Sequence, residues 1–273
     1  MKLTISMATH DDYDGVYFTI QSLRLHHDLP QNTEFIILDN NPNSNHGQAL
    51  LLFSKWVPDA RVIPVTDRTS SFVKYDAFHH ARGDVILGLD CHVLLQRGFI
   101  SSMLSYWQTN SDSREMLTGP LLYNDLKATS VKMEPRWRGH DFGTWGNDPD
   151  AMAKGVPFEI PMMGMGCFSM LKKTVPTLAS GFSGFGAEEW YLAEKVRQNG
   201  GRVICHPSLG WNHRFDWPKR MFPLTLEDKV RNYYRGWFDI YQSRDHPMIR
   251  SMTEHWLTFM PSHKLELLIA EAQ

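Results

Sequence analysis

Cysteine is scarce in this chain of 273 residues, which contains only Cys91, Cys167 and Cys205, far apart from one another. An odd number of widely spaced cysteines forms neither a disulfide framework nor a zinc knuckle, and it is typical of a reducing compartment. An excess of one charge is also missing, because the net charge is −2 at pH 7. No overall basic field therefore indicates a nucleic acid or an anionic membrane as the partner.

Long apolar runs are absent as well. The apolar stretch at the start is too short for a signal peptide, and no later run reaches the length of a membrane span. We therefore expect a cytoplasmic protein, with a luminal domain separated from its anchor as the alternative. No G-x-G-x-x-G follows the first apolar run, and there is no P-loop. Their absence disfavours a Rossmann dinucleotide site and a Walker nucleotide site.

The chain does contain enough apolar sequence for a full core, with 42% hydrophobic and 21% charged residues. Over the first 122 residues, short apolar runs alternate with stretches of helical spacing. The apolar runs cover residues 3–8, 34–39, 61–65, 84–90 and 116–123, and the helical stretches cover residues 14–27, 45–56, 71–82 and 97–108. This alternation predicts an α/β fold with a mostly parallel sheet flanked by helices.

Polar residues gather where four of these runs end, in "THDD" (9–12), "DNNPNSN" (39–45), "TDRTSS" (66–71) and "DCH" (90–92). In parallel sheets, ligands bind beyond the carboxyl ends of the strands. Asp90 and His92 are two residues apart, so on a strand both side chains would point to the same side, toward one ion or ligand. The alternative is local: Asp90 caps the next turn and His92 packs beside it.

The rest of the chain is less regular. Residues 136–155 are rich in Gly, Asp and Trp, and we interpret them as a loop that serves the function, since they are too many for a simple connector. Ordered sequence returns over residues 156–171, followed by a predicted helix at 187–199, a strand at 202–206, and two helices at 226–242 and 248–259. The last two predict a helical C-terminal extension.

Several stretches resemble glycosyltransferases of the GT-A fold. "EFIILDNN" (34–41) and "FHHARGDVILGLDCHV" (78–93) are similar to the family 2 type. "PMMGMGCFSM" (161–170), "SGFGAEEWYLAEKVRQNGG" (183–201) and "GWNHRF" (210–215) are similar to the polypeptide N-acetylgalactosaminyltransferases, which also carry D-x-H in place of D-x-D. The resemblance implies a GT-A domain over residues 1–217 that binds a nucleotide-sugar and carries the catalytic residues, followed by the extension at 218–273.

The resemblance also implies a metal site formed by Asp90, His92 and His213. A divalent cation there would stabilise the negative charge that develops on the departing diphosphate. One carboxylate and two imidazoles suit Mn²⁺ better than Mg²⁺, which stays as the second choice. For His213, a surface histidine in a loop is the alternative.

The remaining candidates are implied donor contacts. Asp39 would accept a hydrogen bond from uracil, although an Asx-turn before Asn40 would also explain it. Further positions would hold the nucleoside, the diphosphate or the sugar: Thr9, His10, Asp11, Arg68, Lys74, Asp90, Gly164 and Gly166. The alternatives are helix capping by Asp11 and Asp12, solvated faces for Arg68 and Lys74, and tight strand packing for the two glycines.

Glu188 and Glu189 are the predicted catalytic residues. In inverting members of the superfamily, the acid at the position of Glu189 is the general base, whereas in retaining members the same region binds donor sugar or acceptor. Two acids in a first helical turn are also stabilised by the helix dipole alone, without any function.

We therefore predict a metal-dependent hexosyl- or N-acetylhexosaminyl-transferase of bacterial or phage type, which moves a sugar from a UDP-sugar to a hydroxyl of a glycan, a protein or a modified DNA base. DNA is included because residues 212–223 and 229–237 interleave basic and aromatic side chains. The alternative is a degenerate GT-A module that binds a glycan or a protein without chemistry. A nucleotide-sugar pyrophosphorylase is disfavoured, because its Gly-rich opening loop is missing.

Overall fold

The structure is a computed structural model, which describes residues 1–215, 222 and 224–273. Its first half alternates strands and helices as the apolar runs predict. The elements are β1 (Leu3–Thr9), α1 (Tyr13–His26), β2 (Glu34–Asp39), α2 (Asn45–Ser54), β3 (Ala60–Pro64), a 3₁₀ helix (Ser71–Asp76), α3 (Ala77–His80), β4 (Val85–Asp90), β5 (Val93–Leu95), α4 (Phe99–Thr109) and β6 (Met116–Thr118).

The second half has shorter strands and ends in helices. It contains β7 (Leu121–Leu122), β8 (Thr129–Ser130), β9 (Lys132–Arg138), β10 (Asp141–Gly146), α5 (Pro149–Ala153), β11 (Phe158–Glu159), β12 (Cys167–Leu171), a 3₁₀ turn (Lys172–Thr174), α6 (Glu188–Gln198), β13 (Val203–Cys205), β14 (Trp211–His213), α7 (Leu226–Tyr241), α8 (Pro247–Leu257) and α9 (Ser262–Ala272).

The predicted mostly parallel sheet is confirmed. Eight strands form it in the order β11-β13-β6-β12-β4-β1-β2-β3. Strands β3, β2, β1 and β4 run parallel, whereas β12 runs antiparallel between β4 and β6. The central strands are buried along almost their whole length, because helices cover both faces. A second sheet has the order β5-β14-β7-β8.

One predicted strand and one predicted helix differ in the structure. The run at 116–123 is divided at Gly119-Pro120 into β6, which joins the large sheet, and β7, which joins the small one. A side chain at Gly119 would meet the Leu209 carbonyl oxygen at 1.9 Å, so the chain can cross there only as glycine. The helical stretch at 71–82 is a 3₁₀ helix followed by the short α3.

The interpretation of residues 136–155 as a loop is wrong. β9 and β10 form an antiparallel hairpin, and α5 follows it. The hairpin is ordered by aromatic contacts with the C-terminal helices: the Trp137 ring lies 5.0 Å from Tyr233 and 5.3 Å from Trp256, and Phe142 lies 4.9 Å from Trp237. Sequence periodicity missed it because these partners lie about a hundred residues later.

The C-terminal helices pack against the rest of the chain. α7 contacts α6 and α9, and the Tyr233 hydroxyl accepts a hydrogen bond from the Phe142 N–H at 2.7 Å. The sequence predicted a boundary between residues 217 and 218, which lies outside the described residues. Within the described part of the chain, no helix combines the length and the apolar character needed to cross a membrane.

Candidate active site

The pairing of two short strands brings the predicted metal ligands together. β4 ends at Asp90, and the chain turns through His92 into β5. β5 pairs antiparallel with β14, with Val93 opposite His213, so His92 and His213 become neighbours across 121 residues of sequence. The Asp90 N–H donates to the Gly166 carbonyl at 2.9 Å, which fixes the end of β4.

The three side chains converge on one point. His213 Nε2 lies 3.2 Å from Asp90 Oδ2 and 3.2 Å from His92 Nε2, and one ligand atom from each residue falls within 4.8 Å of the others. Ligand atoms at right angles on an ion held at about 2.1 Å lie about 3 Å apart, so the spacing fits a divalent cation. The buried Nδ1 of His213 has no hydrogen-bond partner among the described residues.

Lys74 provides the charge that keeps Asp90 ionised. Its Nζ donates to Asp90 Oδ1 at 2.7 Å and to the Met165 carbonyl at 3.3 Å. Burial alone would raise the pKa of Asp90, but Lys74 and His213 hold that pKa well below its usual value. Burial opposes the charge on Lys74, whereas Asp90 and Glu188 raise the pKa of Lys74 and their effect is larger. Asp90 is therefore a carboxylate that can serve as a ligand at any pH near neutral.

The ends of β1 and β2 carry a cluster of polar side chains, some of whose hydrogen-bonding atoms have no partner among the described residues. Asp39 Oδ1 accepts from the Asn41 N–H at 3.0 Å, so the predicted Asx-turn is present. Asp39 Oδ2, Asn40 Oδ1 and His10 Nδ1 are buried and lack a partner among the residues that the structure describes. Burial and the nearby charge of Asp11 raise the pKa of Asp39. Buried polar atoms without partners indicate a place where a ligand supplies them.

The other two residues predicted for the nucleoside lie beside this polar cluster. Thr9 is the buried last residue of β1. Asp11 has a positive φ of 55° and its Oδ2 accepts from Asn41 Nδ2 at 3.0 Å. The helix cap is Asp12, whose side chain accepts from the Gly15 N–H.

The predicted acidic pair opens α6. Gly184 exchanges backbone hydrogen bonds of 2.8 Å with Thr69 and Ser71, which places α6 against the 3₁₀ helix that carries Lys74. Glu188 is buried, and its Oε1 accepts a hydrogen bond from the Ser71 hydroxyl. Burial and the charge of Glu188 raise the pKa of Glu189 to about 8. The site thus holds a carboxyl group that keeps its proton at neutral pH.

The two glycines face aromatic rings of this chain. A Cβ at Gly164 would lie 2.5 Å from the Trp145 ring, and a Cβ at Gly166 would lie 2.8 Å from the Trp211 ring and 3.2 Å from His213. Tight packing, the alternative to a sugar contact, therefore accounts for both positions. At Gly166 the packing also bears on the predicted metal ligands, because it leaves room for the His213 ring.

Arg68 and the basic side chains of α7 form ion pairs and hydrogen bonds with other residues of this chain. Arg68 pairs with Asp67 and Asp76 on its own segment. In α7, Tyr233, Tyr234 and Trp237 are buried, while the basic side chains bind acids or carbonyls of this chain: Lys229 with Asp141, Arg231 with Glu271, and Arg235 with Gly181. The basic side chains of α7 therefore pair within the chain, and a DNA acceptor stays a prediction. Positions 216–221 and 223 of the stretch 212–223 lie outside the described residues.

A model described as glycosyl transferase family 2 matches residues 4–175. This chain belongs to glycosyl transferase family 2. The matched stretch of this family member contains Asp39, Asp90 and His92, whereas Glu188, Glu189 and His213 lie beyond it.

Solved structures show the same fold. GalNAc-T7 with UDP, GalNAc and Mn²⁺ is 13% identical, with a TM-score of 0.73 over 100% of this chain and 54% of that one. The mannosyltransferase PcManGT from Pyrobaculum calidifontis, with GDP-Man and Mn²⁺, is 16% identical with a TM-score of 0.58. The match covers 99% of this chain and 73% of that one. S. aureus TarS is 9% identical with a TM-score of 0.57, and the match covers 95% of this chain and 43% of that one. This chain thus spans about half the length of GalNAc-T7, and no curated protein sequence matches it.

Proposed function

We propose that this family 2 glycosyltransferase is metal-dependent and transfers a sugar from a UDP-sugar to a hydroxyl of its acceptor. The observation that carries the proposal is the convergence of Asp90, His92 and His213. On the neighbouring strand ends, Asp39 Oδ2 and Asn40 Oδ1 have no hydrogen-bond partner among the described residues. Together, these side chains provide a site for a divalent cation and polar atoms that can recognise a nucleotide base. The fold shared with structures that contain Mn²⁺ and a nucleotide or nucleotide-sugar supports it.

Asp39 has a carboxylate oxygen that can accept a hydrogen bond from uracil. Its Oδ1 already accepts from the Asn41 N–H, which leaves Oδ2 to accept from a ligand. Uracil offers a ring N–H that Asp39 Oδ2 can accept, and a buried donor left without an acceptor would cost about 1–3 kcal/mol.

Four side chains of this chain would act, directly or through the cation, on the diphosphate of the donor. When bound, the cation would act as a Lewis acid toward the diphosphate. Asp90, His92 and His213 would hold it. Lys74 keeps Asp90 ionised and adds a positive charge beside the leaving group, which supports the predicted diphosphate contact.

We infer a retaining reaction, because the D-x-H triplet, the "PMMGMGCFSM" strand and "GWNHRF" resemble the N-acetylgalactosaminyltransferase pattern. Burial and the charge of Glu188 raise the pKa of Glu189, and a raised pKa suits a general base as well as a neutral group that binds substrate. In a same-face, retaining reaction the departing phosphate takes the acceptor proton, so Glu189 would bind the donor sugar or the acceptor instead. The sugar, of hexosyl or N-acetylhexosaminyl type, would lie between the cation and α6.

Donor hydrolysis tests the proposal directly. The chain is incubated with UDP-hexoses, UDP-N-acetylhexosamines or GDP-mannose, with Mn²⁺ or with EDTA, and the released nucleotide is measured. We expect release from a UDP-sugar that depends on Mn²⁺. His213→Ala should lower it by about 100-fold or more, because one of three protein ligands is lost, while His263→Ala, an exposed histidine on α9, should not.

Each other outcome has a definite meaning. Near-normal release by His213→Ala would refute the metal site, and preference for GDP-mannose would refute the base assignment. Glycans, peptides and hydroxymethylated DNA are then offered as acceptors, and mass spectrometry identifies the product. Donor binding without hydrolysis or transfer to any of them would favour the degenerate binding module.

A further inference from the structure

Asp12 is a buried carboxylate next to the proposed metal site. It is the residue before α1, 6% exposed, and its Oδ1 accepts from the Gly15 N–H at 3.0 Å as the helix cap. Capping explains one of its two oxygens. It does not explain why a charged group, rather than serine or threonine, is buried here.

The second oxygen of Asp12 contacts a metal-site histidine. Asp12 Oδ2 lies 2.9 Å from His92 Nδ1. The guanidinium of Arg214, the residue after His213, reaches both carboxylate oxygens at 3.0 and 3.2 Å. The Cys91 thiol donates to Oδ2 at 3.4 Å. One carboxylate thus joins the turn that carries His92 to the end of β14, which carries His213.

The contact with His92 has a chemical consequence. An ionised carboxylate only accepts hydrogen bonds, so the proton of the His92 ring belongs on Nδ1. The lone pair of Nε2 is then directed toward His213 and Asp90, where a cation would lie. Histidine ligands of metals commonly donate their other ring N–H to a carboxylate in this way, which fixes the tautomer and the ring plane.

We propose that Asp12 is a positioning residue, which holds His92 in the Nδ1–H tautomer and, through Arg214, holds the end of β14 for the divalent cation. The inference rests on the proposed metal site of Asp90, His92 and His213. It adds a residue that the D-x-H motif does not contain. Asp12 is not one of the three ligands of that site, so its effect would appear first in metal affinity.

Asp12→Asn separates positioning from capping. Asparagine caps a helix about as well as aspartate, so α1 should keep its cap. The amide has lost the charge that faces His92 and Arg214. We expect the dissociation constant for Mn²⁺, measured without donor by electron paramagnetic resonance of free Mn²⁺, to rise about 10–100-fold. The matched control is Asp148→Asn, because Asp148 caps α5 through the Ala151 N–H and also pairs with Lys132.

The outcomes separate this inference from the proposed function. If the wild type binds Mn²⁺, His213→Ala does not, and Asp12→Asn binds it normally, positioning by Asp12 is refuted while the metal site stands. Equal losses in Asp12→Asn and Asp148→Asn would also refute it. If the wild type and His213→Ala behave alike, the metal site itself fails and the inference falls with it.

A measurement on the wild type covers the case in which Asp12→Asn does not fold. The ¹⁵N resonances of the His92 ring distinguish the two neutral tautomers without any metal. We expect the proton on Nδ1, and a proton on Nε2 in the neutral ring would overturn the proposal.

Discussion

Replacing Gly166 with alanine should disturb the proposed metal site without changing any of its three proposed ligands. The added Cβ would lie 2.8 Å from the Trp211 ring and 3.2 Å from the His213 ring. Trp211 is 1% exposed, and its Nε1 donates to the Gly119 carbonyl at 2.8 Å, so it has little freedom to move. The strain must then be relieved by a shift of His213 or of the backbone at Gly166, whose carbonyl accepts a hydrogen bond from the Asp90 N–H.

The expected magnitude follows from where the strain goes. Overpacking by one methyl group typically costs about 1–3 kcal/mol. If Trp211 and His213 stay in place, that amount is lost from the free energy of unfolding. If His213 moves away instead, cation binding must bring its ring back against the added methyl group. The strain energy is then lost from cation binding, and the dissociation constant for Mn²⁺ rises about 5–150-fold. The two losses together should amount to about 1–3 kcal/mol.

Two titrations check this result. Urea unfolding of the metal-free protein gives the first loss, and Mn²⁺ binding gives the second. Gly146→Ala is the control, because a Cβ there would meet its nearest neighbour, Glu134, at an ordinary 3.6 Å. If Gly166→Ala changes neither quantity relative to Gly146→Ala, the close packing of Gly166 does not position His213, and the reasoning is wrong.

Three further predictions concern the nucleotide pocket and the acidic pair. Asp39→Ala should raise the donor KM more than it lowers kcat, because base recognition is equal in the ground and transition states; a loss confined to kcat would place Asp39 outside the pocket. Glu189→Gln should lower kcat about 10²–10⁴-fold in an inverting enzyme and much less in a retaining one, and NMR of the product anomer decides independently; an inverted product would contradict the retention that we favour. The pKa of Glu189, raised by burial and Glu188 from 4.5 to about 8, means that the folded protein holds a proton there that the unfolded chain releases. The free energy of unfolding should therefore fall as pH rises from about 4.5 to about 8, relative to Glu189→Gln, and parallel pH profiles from urea unfolding would contradict the burial of this group.

The sequence predicted the parts of the fold that depend on local patterns. Continuous apolar runs such as residues 34–39 identify buried parallel strands, because both faces are covered. The same logic placed Asp39 and Asp90 at the ends of their strands, and the ends of adjacent parallel strands share one edge of the sheet. His213 was identified by its motif, and the pairing of β5 with β14 accounts for its position.

Contacts between residues that are far apart in the sequence could not be predicted from local patterns. The hairpin of β9 and β10 is ordered by Tyr233 and Trp256, which no local pattern connects with Trp137. Asp12 was recognised only as a candidate cap, because a residue before a helix gives the same signal whether or not its second oxygen meets a histidine 80 residues away. Lys74 was identified from its charge, but its pairing with Asp90 follows from the tertiary fold.

The pairing of β14 with β5 also determines when the site can be completed during synthesis. Residues 3–90 contain β1 to β4 and can begin to form the parallel sheet while the rest of the chain is still being made. The third ligand leaves the ribosome 121 residues after His92, and the Asp12–Arg214 contact closes a loop of 202 residues. Contacts that close such long loops form late, because they reduce chain entropy before other interactions compensate. A nascent chain would therefore hold the polar side chains at the ends of β1 and β2 in place before it can bring His213 to Asp90 and His92.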